Sequence, residues 1–281
     1  MSSVTSVGTS SFSTCSSLSS VSMPRLTSIG NSAFQSCAEL ATINMPLVTS
    51  VGTSSFSGCS SLRNVSMPLL VSVSNSAFQS CSVLGSMHVP LTTAVGSSAF
   101  HSCSNLVTID LPNASSVGSS AFYGCSGLTS VEMSMVTSVG SSAFRSCTSL
   151  TYVDMPHVVV AGTYLFRDCT SLATVHMPRL ATVASTMFYR CTGLTSVNMT
   201  LATSVADSTF SSLSSLTTVV MPLVTSVGTS SFSGCSSLRN VSMPLLVSVG
   251  NSAFQSCAEL ATIDMPLVTS VGTSSFSGCS S

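Results

Sequence analysis

Five ionisable side chains stand at intervals of 22 residues in the middle of this chain: His88, Asp110, Glu132, Asp154 and His176. Tyr152 lies two residues before the last of the three acids. Carboxylates at one position of successive structural units would crowd one another, and flanking imidazoles offer the nearest compensating positive charge. Such a strip suits weak, pH-dependent recognition of a partner's Arg, Lys or hydroxyl groups. Oxygen ligands also suit Ca²⁺, but three carboxylates on a flat ladder are too few for a tight cation site. Ser66, His88 and Asp110 share the same spacing and superficially form a Ser-His-Asp set. A flat ladder provides neither an oxyanion hole nor a pocket that excludes water, so an enzyme is not expected.

Cysteine is the other reactive residue, twelve in all, and eleven of the steps between them are 22 residues or a multiple of it. Equivalent thiols on stacked units would sit about 5 Å apart with parallel Cβ vectors, a poor geometry for disulfides. Leu213 occupies one position of this column, which marks it as a place for an apolar filler. Buried, reduced thiols are expected at all twelve. Zinc is not, because no Cys-x-x-Cys pair or neighbouring His completes a site, and no other cofactor is implied.

These side chains can meet only if the units that carry them stack. All thirteen Phe fall on one 22-residue lattice from Phe12 to Phe276, with no insertion or deletion. Cys follows Phe by three, Leu by six, then Val or Ile, then usually Met and Pro, as in Phe34-Cys37-Leu40-Ile43-Met45-Pro46. A unit this short cannot bury its own apolar face, so the units must share a core. Leu-x-x-Val-x-Met has the alternation of a short strand, with Val and Met inward, ended by a proline that has no N–H for the ladder. Val-Thr-Ser-Val is a second extended piece ending at a Gly turn. Ser-Ala-Phe-x-x-Cys is then a compact turn or a single 3₁₀ turn. The expected fold is a mainly β solenoid of about thirteen coils, roughly 60 Å long at the inter-strand spacing.

Leu-x-x-Val-x-Met-Pro followed by Val-Thr-Ser-Val-Gly-x-Ser-Ala-Phe-x-x-Cys closely resembles the BspA-like (Treponema-type) leucine-rich repeat, over essentially the whole chain. The resemblance implies a leucine-rich-repeat rod or shallow horseshoe with its parallel strands on the concave face. It also implies a place at a bacterial or protist surface, in adhesion or protein binding; related arrays occur in phage structural proteins. It brings no catalytic residues. Ser74, Ala184 and Ala206 replace the usual Gly, and Ser134 and Thr200 the usual Pro, which should loosen single turns without changing the fold.

Composition narrows the partners. Charged residues are 5% of the 281, with seven Arg, no Lys and a net charge of −1. So little positive charge argues against nucleic acid and acidic membranes, and no apolar run approaches the ~20 residues of a membrane span. Residues 45–73 are identical to 221–249, a sign of recent module copying. The middle repeats therefore differ from the outer ones either through function or because they are older. One uninterrupted array, 1–281, is expected; with no capping repeat visible and no secretion signal before it, it is either a piece of a longer protein or an array whose bare ends stack. Two functions follow. One is a non-enzymatic scaffold outside the cell or on its surface, binding a protein or glycan through the central concave strip. The other is a fibre or appendage component associating end to end.

Overall fold

The computed structural model describes residues 1–280. Each coil carries two short strands, three residues in the Leu-x-x-Val-x-Met segment and two before the glycine turn, as in Ser20–Ser22 and Ser28–Ile29. All pairing is parallel and displaced by one repeat, so that Val21 lies beside Ile43 and Val7 beside Ile29. This register puts equivalent side chains of successive coils on top of one another, where apolar columns fuse into a continuous core. Among the described residues there is no helix.

The two-residue strands form one ladder of eight, from Ser6–Val7 to Val160–Ala161, and another of five, from Thr182–Val183 to Ser270–Val271. The break between them adjoins Ala184, and the substituted turns explain part of it. Normally the glycine amide donates to the preceding coil, as Gly140 does to the Val117 carbonyl at 2.8 Å. A Cβ on Gly140 would lie 2.4 Å from the Ser119 nitrogen. The coils therefore approach too closely for a side chain. Ser74 and Ala184 make no such bond, and beside Ser74 the pairing shrinks to Ser50 with Ser72. Ala206 departs from the expectation: it keeps the bond, to Val183 at 3.0 Å. The proline replacements leave the turn intact, since Val136 still donates to Met133 and Ala202 to Met199.

The third side of each coil is a compact turn, the first of the two forms expected, and not a 3₁₀ turn. Two positions per coil take a left-handed backbone, for example Ser32 (φ 51°) and Ser36 (φ 58°). Ser32, Phe34 and Ser36 donate their N–H groups to Thr53, Ser55 and Ser57 of the next coil, while Gln35 and Cys37 close local bonds to Ser32 and Phe34. This alternation satisfies every second amide between coils without a β-strand. It also accounts for much of the serine. Bulky residues are disfavoured in the left-handed region, and these two columns are nearly all Ser, Thr or Gly.

The Phe rings form the core spine, twelve stacked pairs with centroids 5.0–5.7 Å apart and planes within 20°. Such separations lie within the roughly 4.5–7 Å range over which aromatic pairs attract. The eleven inner rings are fully buried.

Candidate functional site

The candidate strip lies on the row of three-residue strands, and the parallel register decides which of its members meet. His88, at the end of Ser86–His88, pairs with Asp110 and, on its other side, with Ser66. Asp154, at the end of Tyr152–Asp154, pairs with Glu132 and with His176. Between Asp110 and Glu132 the ladder is broken. The five stay on successive coils, while hydrogen-bonded pairing joins His88 with Asp110, and Glu132 with Asp154 and His176. All are exposed except Asp154, which is half-buried and keeps one carboxylate oxygen, Oδ1, without a hydrogen-bond partner. Tyr152 is exposed between Ser130 and Thr174.

The surface here is not flat. A groove of about 600 Å³ runs over it, lined among others by Ser66, His88, Asp110 and Glu132. The outward side chains Asn64, Ser86, Thr108 and Ser130 line it as well. Asp154, His176 and Tyr152 lie outside this groove. Ser66, His88 and Asp110 are neighbours within it, but among the described residues no hydrogen bond joins the three side chains. The nucleophile–base contact that a triad requires is not formed.

The thiols belong to the core. Ten of the twelve are buried, and each donates to the backbone carbonyl of the Phe one coil earlier, as Cys59 does to Phe34 at 3.1 Å. Burial pushes the thiol pKa up to about 12 at Cys59, Cys103 and Cys257, and raises it at Cys81, Cys125 and Cys235 too, because a thiolate would lose its hydration. The expectation of twelve buried thiols fails at Cys15, which is exposed, and at Cys279, which is half-buried. Both belong to the outermost coils, where one side has no neighbour to cover it.

A second cluster lies on the third side of the coils. The residue after Phe is Ser or Gln in most coils but runs His101, Tyr123, Arg145, Arg167, Tyr189 through five successive ones. His101 and Tyr123 stack at 4.8 Å and 3°, and the guanidinium of Arg145 lies 5.4 Å from the Tyr123 ring centre. Arg167 sits between Tyr189 and Tyr164, at 5.1 and 5.6 Å. Asp168 joins Arg145, Arg167 and Arg190, at 3.9, 3.3 and 3.6 Å. The column after Phe is legible in the sequence. Asp168, Arg190 and Tyr164 occupy other columns, and only the fold brings them to it.

Comparison with known proteins agrees with this architecture. The model of the BspA type leucine rich repeat region matches in six copies, over residues 1–107, 93–216 and 203–281. A leucine-rich repeat protein from Bacteroides ovatus is similar in structure, with a TM-score of 0.77 and 25% identity over 98% of this chain and 80% of that one. A leucine-rich repeat protein from Eubacterium ventriosum shares the fold, with a TM-score of 0.58 and 20% identity over 91% and 81% of the two chains. No curated protein matches the sequence. Among the described residues no helix is long and apolar enough to cross a membrane. Strand register, Phe spine and repeat signature together assign the chain to the BspA type leucine-rich repeat family.

Proposed function

We propose that this chain is a non-enzymatic scaffold that binds a protein or a glycan at a cell surface, through His88, Asp110, Glu132, Asp154 and His176 with Tyr152. The observation that carries this reading is the concentration of charge. In a chain with only eight acidic residues, three stand at successive turns of one exposed strand row, beside a groove. The rest of that row is nearly all neutral, so the strip is where polar recognition has most to offer. Its test is a screen of surface proteins and glycans with the wild type and the triple variant D110N/E132Q/D154N. Loss of the strongest interactions in the variant, with unchanged melting, supports the strip. An identical binding profile overturns it.

The second reading is a self-associating fibre or appendage component. It is supported by apolar side chains exposed in register along one corner of the coils, Leu201, Leu223, Leu245 and Leu267. An exposed apolar stripe of this kind favours association. End-to-end assembly would appear in electron microscopy as rods in multiples of roughly 60 Å. Sedimentation as a monomer at high concentration would remove this reading.

A further inference from the structure

We propose that the ladder His101, Tyr123, Arg145, Arg167 and Tyr189, with Arg190, binds an anionic linear polysaccharide, one that carries a carboxylate or sulfate on its sugars. The ladder lies on a different side of the coils from the acidic strip and does not depend on it.

Charge is the first argument. Three of the chain's seven Arg gather around one carboxylate, Asp168, so two positive charges remain uncompensated there. Arg145 and Arg167 are on adjacent coils, where like charges repel. Asp168 relieves this only in part, since its closest contact with either is 3.3 Å and the Arg145 Nε finds no hydrogen-bond partner. A bound anion would supply what is missing, and guanidinium forks are well matched to carboxylate and sulfate oxygens.

The shape of the ladder selects among anions. A ring stacked on its neighbours has only its edge left for solvent. Tyr123, between His101 and Arg145, therefore offers its phenol edge, His101 and Tyr189 add imidazole and phenol polar atoms with one face each covered, and Arg145 and Arg167 offer N–H groups. The result is a row of hydrogen-bonding groups repeating at the coil spacing, 4.8 Å between His101 and Tyr123. Single-stranded nucleic acid needs a run of open aromatic faces on which its bases can stack, and here Tyr123 is covered on both faces and His101 and Tyr189 on one each. A phosphopeptide presents one anion, which would use one step of a row five coils long. An extended acidic polysaccharide repeats its anion and its hydroxyls along a straight path, and each sugar advances by a comparable length.

The placement of the cluster also runs against the local backbone. Tyr164 and Arg190 are left-handed, at φ 60° and 61°, in columns that otherwise hold Ser, Thr, Gly or Asp. Large residues are disfavoured there, and such departures gather where a surface is used.

The experiment measures binding of the whole chain to dextran sulfate, polygalacturonate, neutral dextran and a thymidine oligonucleotide by titration calorimetry at low and raised salt. The two acidic polysaccharides are expected to bind, more weakly as salt rises, and neutral dextran not to bind. R145Q/R167Q should weaken binding by roughly tenfold or more through lost charge-assisted hydrogen bonds, whereas R25Q/R239Q, remote from the ladder, should not. Salt-independent binding by the wild type, equal loss in both double variants, or tighter binding of the oligonucleotide would each overturn the proposal. The wild-type salt series tests it even if R145Q/R167Q fails to fold.

Discussion

The thiol of Cys103 donates to the backbone carbonyl of Phe78, 3.1 Å away and one coil earlier. The same bond recurs at Cys81 with Phe56 and Cys125 with Phe100. The thiol column is thus both an apolar filler and a set of weak cross-links between coils. Leu213 fills the space without the bond, which leaves the Phe188 carbonyl with only the local amide of Cys191.

These thiols make the fold sensitive to alkali. Their ordinary pKa is 9.0, and burial pushes Cys59, Cys103 and Cys257 up to about 12. In that interval the unfolded chain has lost protons that the folded chain keeps. The contribution is therefore complete below about pH 9 and is lost as pH rises toward 12, at about 1.4 kcal/mol per pH unit for each thiol. Denaturant unfolding between pH 8 and 11 should show stability falling. The triple variant C59A/C103A/C257A, though less stable at pH 8, should fall less steeply, and equal slopes would refute the linkage.

Alkylation should divide the cysteines by position. In the native protein a thiol reagent is expected to modify Cys15 rapidly and Cys279 slowly, and the ten buried thiols only in denaturant. Peptide mass spectrometry reads this directly. Rapid native labelling at Cys125 would mean that the coils open far more readily than their packing implies.

Phe122 stacks between Phe100 and Phe144, at 5.2 Å from each. Phe122→Ala removes a ring from the middle of the spine and should cost about 3–5 kcal/mol. A melting shift no larger than that of an exposed Ser→Ala control would show that the ring column does not hold the coils together.

The glycine turn carries its own control. Gly140→Ala would drive a Cβ against the Ser119 backbone, whereas at Gly8 the nearest atom is the Ser11 hydroxyl at 3.5 Å. Gly140→Ala should cost about 1–3 kcal/mol, as overpacking does, and Gly8→Ala much less. Equal effects would place the requirement for glycine in the turn itself instead of in the approach of the coils.

Much of this protein follows from its spacing. A 22-residue period without a single slip leaves parallel, in-register stacking as the arrangement that puts Phe34 on Phe56 and Val21 beside Ile43. Each coil finds in its neighbour the environment its own copy provides, so columns read along the sequence become contacts in space. His88 beside Asp110, and Asp154 between Glu132 and His176, were legible for this reason. The break between Asp110 and Glu132 was not, because no substitution in the repeat marks it, as Ser74 and Ala184 mark the lost bonds of the other ladder. The left-handed positions were hidden for a related reason: serine accepts either sign of φ at modest cost, and only the path of the coil selects one. Nor does spacing reveal contacts between different columns. Asp168 reaches Arg145, Arg167 and Arg190 because the third side of the coil turns the residues one and two places after Phe toward the same surface. That convergence depends on backbone direction within a coil, which a period between coils does not encode.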